Sequence, residues 1–351
     1  MPTTSKALLT GLLLMLLAAT ALAWMAPRNG RNVVVYTSVD GEYAQALAAR
    51  FEEATGLAVD LRTDSEASKT TGLIGRLRQL QARPDGDVFW NSELSGTLLL
   101  ARDGFWEPYA SPQAVAIPAA YKDPAGLWTG FGLRARVLIF NTSRVKPEEA
   151  PKLLEELAEP KWQGRFCLAR PLYGTTRSHL VSLVLALGEE KGFALLRRLR
   201  QNARTDGGWI VDGNAAVRER VAEGVFDVGL TDTDDVYAAR DRGRPVDLVL
   251  LGQTPAYPGV YLIPNTVAIL KGAPHPEAAR KFVDFLLRPE TEAWLAAQGA
   301  RQIPVRPEVP VPAGGLQLRM LEPAAVDPEA LQAHIEPLSE RIDKVLRGIE
   351  P

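Results

Sequence analysis

Residues 165–169 (RFCLA) form a short apolar run, and residues 178–187 form a second, longer one. Between them lie Pro171, Gly174, Thr175, Thr176 and Arg177. The order predicts a strand, a small-residue loop over 170–176 and a helix. A helix that starts after such a loop aims unpaired backbone N–H groups and the positive end of its dipole at the loop. That arrangement receives anions. The hydroxyls of Thr175, Thr176 and Ser178 add donors, and Arg177 adds charge. Ser and Thr also cap ordinary helices that bind nothing, so this stretch alone fits both readings.

A second group has the opposite character. Residues 231–235 read TDTDD, directly after the strand-like run 227–230 (DVGL). Asp232, Asp234 and Asp235 would accept hydrogen bonds from hydroxyls or an ammonium, or bind a hard cation. A helix cap or a solvated acidic loop accounts for them equally well. His179, His275 and His334 are scattered and form no metal-binding pattern. Cys167, the single cysteine, lies inside an apolar run, where it behaves as a small hydrophobe. The chain has no G-x-S-x-G motif and no Ser-His-Asp or Cys-His arrangement, so no enzymatic activity is expected.

The elements that must position these groups alternate. Residues 32–37 (NVVVYT), 57–62 and 87–90 (DVFW) read as strands. Residues 42–55, 72–81 and 94–102 read as the helices between and after them. Strand–helix alternation predicts an α/β fold with a largely parallel sheet. Ligands bind beyond the carboxyl ends of such strands, which is where 37–40 and 91–93 fall. Two long extended segments follow, 127–141 and 260–270. Further helices are expected over 192–201, 215–222, 236–240, 275–286, 289–298 and 331–348.

The chain has 351 residues, enough for two domains. A net charge of −2 excludes the basic excess usual in nucleic-acid binders, so no nucleic-acid partner is expected. Lys6 is the one charge before an apolar run over 7–23 that ends in Ala-Leu-Ala. Residues 1–23 are expected to be a cleaved signal peptide. The alternative is an uncleaved anchor, for which the run is marginally short.

Five motifs then stand in order: VVVYTSVDGEYAQALAARFEEATG, GDVFW followed by NSE, PKWQGRF, DGN with VAEGVFDVGL after it, and NTVAILKGAPHPEAARKFVDFLLRPETEAWLA. In that order and spacing the chain resembles the periplasmic solute-binding proteins of ABC importers, in the group of the ferric-iron-binding proteins. The resemblance implies a two-lobed α/β fold of type II-like architecture, with a ligand cleft between lobes joined by crossover strands. Crossovers are expected near 132–137 and 262–267. Lobe 1 would hold 31–131 plus 266–302, and lobe 2 would hold 132–265 plus 303–351. The implied partners are a small-molecule or metal ligand and the importer's permease. A monomer is expected. A sensor that transports nothing, or an enzyme on the same fold, is the alternative.

Residue by residue, the resemblance gives Thr175, Thr176 and Arg177 weight as anion donors and adds Asn214 and Arg134 to them. It places Glu93 near a first-lobe carboxylate ligand and Asp40 where some iron binders have a histidine. The group's iron binders carry two adjacent tyrosines after the strand matching 227–230. Here 231–235 supplies carboxylates, and no Tyr-Tyr pair occurs in the chain. The expectation is therefore a phosphate- or phosphonate-like group on Thr175, Thr176, Asn214 and Arg134. Ser38, Asp40, Glu93, Asp232 and Asp234 would face the hydroxyls or amine of the same solute. No cofactor is required. A metal ion, iron included, bound together with an anion is the alternative.

Overall fold

The computed structural model describes residues 32–63, 71–80, 83–204 and 208–349. The expected signal peptide, 1–23, lies outside the described residues. Strand β1 (Asn32–Thr37) is buried along almost its whole length and pairs in parallel with β2 (Ala58–Thr63) and β3 (Val88–Asn91). Helix α1 (Gly41–Thr55) connects β1 to β2. It buries Ala44, Leu47, Ala48 and Phe51, the three-to-four-residue spacing of one helical face. Gly56 ends it at φ 69°, a left-handed C-cap that a glycine adopts without steric penalty. Helices α2 (Thr71–Gln79) and α3 (Leu94–Arg102) flank β3 in the chain, and β4 is the short pair Trp106–Glu107.

Strand β5 (Thr129–Asn141) is buried nearly throughout and joins the two halves of the sheet. Further along the chain lie β6 (Phe166–Ala169), β7 (Ile210–Val211), β8 (Val228–Asp232), β9 (Val246–Leu250), the hairpin β10 (Gly252–Thr254) and β11 (Tyr257–Val260), and β12 (Leu262–Leu270). The first part of β5 runs antiparallel to β12, which in turn pairs with β3. From Arg136 onward β5 pairs instead with β8 and β9. Strand β8 continues in parallel to β6, and β6 to β7. The hydrogen-bonded path is β2-β1-β3-β12-β5-β8-β6-β7, so β5 belongs to both halves. Register between β5 and β12 slips at Pro264/Asn265, and Gly132, at φ 50°, is the extra residue. A glycine bulge of this kind bends a strand and increases its twist.

Four helices serve the second half: α4 (Gly174–Leu187), α5 (Glu189–Asn202), α6 (Asn214–Ala222) and α7 (Thr233–Asp241). Helices α8 (Pro276–Leu286) and α9 (Pro289–Ala297) return to the first half, where Phe282 meets Phe51 edge-on at 5.0 Å. The last helix, α10 (Pro328–Leu346), packs on α3, α4 and α5. No helix among the described residues is long and apolar enough to cross a membrane.

Two of the boundaries that differ from the sequence reading concern the residues singled out above. Helix α4 starts at Gly174, because extended Tyr173 (φ −154°) and left-handed Gly174 (φ 62°) turn the chain at once. Thr175 and Thr176 therefore stand in its first turn and not in a loop. Asp232 ends β8, and α7 begins immediately after it. Local patterning does not signal the hairpin over 252–260: its sequence, GQTPAYPGV, has turn residues and no apolar alternation.

One buried ion pair fastens α9 to the rest. Arg306 Nη1 donates to Glu292 Oε2 at 2.7 Å, and both side chains are at most 1% exposed. Glu292 Oε1 accepts from the backbone N–H groups of Gly132 (3.1 Å) and Val305 (2.9 Å). Arg306 Nη2 donates to the carbonyls of Leu287 (2.6 Å) and Gln113. Removing one partner leaves a buried charge unanswered, at a cost of about 3–5 kcal/mol. Glu292→Ala should lower the unfolding free energy by about that amount in urea titrations followed by tryptophan fluorescence. A loss below about 1 kcal/mol would contradict the assignment.

Candidate functional site

A polar cavity of about 390 Å³ opens between the two halves of the sheet. Its lining includes the residues that precede five helices: Asp40 before α1, Glu93 before α3, Tyr173 before α4, Gly213 before α6 and Asp232 before α7. Each of these helices follows a strand of the parallel ladders, so the carboxyl ends of β1, β3, β6, β7 and β8 all point here. Five positive dipole ends thus meet at one place. Glu93 caps α3, accepting from Ser95 N at 2.5 Å and Gly96 N at 2.8 Å. The other four N-caps make no side-chain capping hydrogen bond.

Arg136, fully buried on β5, is the centre of the second-half wall. Its Nη1 donates to Asp232 Oδ1 (2.6 Å), Thr175 Oγ1 (3.1 Å) and Asn214 Oδ1 (3.2 Å). Its Nη2 donates to Thr176 Oγ1 (3.1 Å) and the Leu230 carbonyl (3.3 Å). Asp232 Oδ2 also accepts from Thr175 Oγ1 and Asn214 Nδ2, both at 2.9 Å. A buried charge needs this many partners.

Arg134 lies two residues earlier, on the same face of β5. Its Nη1 reaches Asp234 Oδ2 at 3.1 Å and Asp232 Oδ2 at 3.5 Å, and its Nη2 donates to the Ser92 carbonyl in the first half. Burial alone would lower its pKa, but Asp234, Asp232 and Asp40 outweigh that, and the guanidinium sits above its ordinary value. Asp234 is pushed upward by burial, with Asp232 and Asp40 adding to it and Arg134 opposing. Its Oδ1 is buried with no hydrogen-bond partner among the described residues. Asp235 accepts from Thr231 Oγ1 at 2.7 Å and from Arg218 Nη1 at 3.4 Å.

The side chains singled out from sequence as ligand contacts line this cavity except Arg177 and Ser178, whose hydroxyl donates to the Thr175 carbonyl at 3.1 Å. Arg177 turns away and donates to Ser95 Oγ at 2.9 Å, bridging α4 to α3. Ser38 hydrogen-bonds Asn91 Oδ1 (2.5 Å) and accepts from Ser92 N (3.0 Å). Asp40 is exposed at the rim. The two expected walls are interleaved: Asp232 belongs with the donors, and Arg134 with the acids. The lining also contains Tyr43, Tyr173, Asp212, Arg218, Asp235, Asn265 and Gln302. Arg136 was missed, although the two-residue alternation from Arg134 marks it. His179 is buried against Gln253, and burial pushes its pKa down to about 3, so it is a neutral core histidine.

An α/β chain with two sheet halves joined by long strands, and a polar cavity between them at the strand ends, has the fold of a two-lobed periplasmic binding protein. The chain belongs to the bacterial extracellular solute-binding proteins, whose family model matches residues 98–325. It is 29% identical to "Iron uptake protein A1" of Synechocystis sp. over 293 residues, 81% of this chain and 79% of that one. Iron-bound HitA from Pseudomonas aeruginosa aligns with a TM-score of 0.77 at 23% identity, covering 89% of this chain and 99% of HitA. AfuA from Actinobacillus pleuropneumoniae, solved with exogenous fructose-6-phosphate, aligns with a TM-score of 0.75 at 22% identity, covering 89% and 96%. At these structural identities the likeness speaks for the fold alone.

The acidic cluster predicts a pH dependence of stability. Burial first, then Asp234 and Asp232, push the Asp235 pKa from 3.8 up to about 7. The folded state therefore holds this proton more tightly than the unfolded chain. The stabilisation is complete below about pH 3.8 and is lost as pH rises through about 7. The unfolding free energy of the native protein minus that of Asp235→Asn should fall between pH 4 and 7, by at most about 1.4 kcal/mol per pH unit. A difference that stays flat or rises would contradict this.

Proposed function

We propose that this protein is the extracytoplasmic solute-binding component of an ABC importer, and that its solute carries a phosphate-like anion together with hydroxyls or an amine. The observation that carries the reading is the convergence of helix starts without side-chain caps on one cavity. Backbone N–H groups in the first turns of α4, α6 and α7 would hold the anion, with Arg134 beside them. The orphaned Oδ1 of Asp234, together with Asp235 and Ser38, would take the solute's own donors. AfuA, with its sugar phosphate, is a neighbour consistent with this chemistry. Lobe 1 would comprise 31–131 plus 266–302 and lobe 2 would comprise 132–265 plus 303–351, closing on the solute as a hinge. Residues 1–23 would direct export, and the binding protein would act as a monomer that delivers its solute to a permease.

A second reading rests on a specific cluster. One carboxylate oxygen from each of Asp232, Asp234 and Asp235 lies within 4.8 Å of the others. Three hard oxygen ligands suit a metal ion carried as cargo with an anion, and the Synechocystis relative is named for iron uptake. Against it, Arg136 already engages Asp232 and Arg134 engages Asp234, so a cation would compete with two guanidinium groups.

Calorimetry separates the two. Glucose 6-phosphate should bind more tightly than inorganic phosphate, and Arg134→Ala should weaken it about tenfold or more, as loss of a charge-assisted hydrogen bond worth about 1.5–3 kcal/mol. Tight ferric-citrate binding that survives Arg134→Ala and disappears in Asp234→Ala would overturn the anion-centred reading.

A further inference from the structure

The three places where the chain is proposed to pass between lobes meet at one buried polar knot. They are β5 at Gly132, β12 at Asn265 and the segment beginning at Arg301. Asn265 Nδ2 donates to the Gly132 carbonyl at 2.5 Å and to Gln302 Oε1 at 2.8 Å. Leu133 and Ile303 exchange backbone hydrogen bonds, both at 2.7 Å. Glu292 holds the N–H of Gly132 from the other side.

Two backbone features mark this knot as more than packing. Gly132 is the bulged residue of β5 at φ 50°, and a Cβ there would lie 2.5 Å from Gln302 Oε1. Arg301 has φ 45°, a conformation uncommon for a residue with a side chain. Its guanidinium is anchored on α7, 2.7 Å from Asp241 and 4.8 Å from the centre of the Tyr237 ring. Strain of this kind persists where surrounding contacts over-determine it, often at switch regions. Asn265 and Gln302, both nearly fully buried, are also part of the cavity lining.

We propose that Gly132 is the pivot of lobe closure, and that Asn265 and Gln302 are positioning residues that set the closed angle. Their amides lock the left-handed bulge from the cavity side, so what occupies the cavity acts on the same groups that define the pivot. A solute displacing either amide, or bracing it, shifts the angle between the lobes without touching the outer helices. The inference rests on the proposed lobe boundaries and is independent of which solute the cleft holds.

The test uses ligand-free protein, so it stands apart from the choice of solute. Spin labels on Ala49→Cys in α1 and Ala194→Cys in α5, both exposed positions, report the distance between lobes by pulsed electron resonance. The remaining thiol, Cys167, is buried. Gln302→Met keeps the volume and removes the amide, and it should shift or broaden the distance distribution by more than about 2 Å, the scale of a genuine domain rearrangement. Gln302→Glu keeps an acceptor oxygen for Asn265 and should retain the native distribution. Gly132→Ala must displace the Gln302 amide and should shift the distribution as Gln302→Met does. A merely structural role would lower thermal stability in these variants and leave the distance unchanged. Native distributions in both Gln302→Met and Gly132→Ala, or an equal shift in Gln302→Glu and Gln302→Met, would overturn the proposal.

Discussion

The arrangement depends on one buried ion pair, Arg136 with Asp232. Neither charge has access to water, so each must be answered within the protein. Arg136 is answered by Asp232, two threonine hydroxyls, the Asn214 amide oxygen and a backbone carbonyl. These partners come from α4, α6 and β8, so satisfying one guanidinium brings the starts of α4 and α6 and the carboxyl end of β8 to a common point on β5. The N-caps of α4 and α6, Tyr173 and Gly213, make no side-chain cap, and that of α7, Asp232, is engaged with Arg136. An electropositive rim of backbone N–H groups therefore surrounds an internal carboxylate.

Arg134 works differently from its neighbour. It is only partly enclosed, and it spans the cavity from the Ser92 carbonyl of the first half to Asp234 of the second. Under the proposed lobe closure, such a contact would form as the two halves approach and would be lost as they part. It would give the proposed anion a cation whose charge is already shared, and it keeps Asp234 from standing as a bare carboxylate among other acids. One oxygen of Asp234 still has no donor among the described residues, and burying an acceptor in that state is unfavourable. A solute hydroxyl or ammonium would remove that penalty.

Much of this could be read from the chain. The alternation of strands and helices, the two long extended segments and the donor-rich start of α4 all carry local signals. The side-chain partnerships do not. Sequence alone places Asp232 among the acids, because its partner, Arg136, lies 96 residues away in the chain and no local pattern reports that pairing. Nearness in sequence groups Arg177 with Thr175. On a helix two residues are about 200° apart, and Arg177 faces α3 while Thr175 faces the cavity. Arg136 is masked by the apolar run around it, although a strand places residues two apart on one face. The sequence signals for the starts of α4 and α7 fall late, because the turn is made by backbone conformation at Gly174 and after Asp232, positions that read as loop.

The central claim is that the helix starts hold the anionic part of the solute, with the carboxylates serving its polar remainder. A crystal structure of the protein with glucose 6-phosphate tests this directly. The account predicts phosphate oxygens within hydrogen-bonding distance of backbone N–H groups at the starts of α4, α6 and α7, with sugar hydroxyls on Asp234 or Asp235. Phosphate lodged away from these turns would contradict it. So would crystals grown with ferric citrate that show the metal on Asp232, Asp234 and Asp235 with Arg134 swung clear.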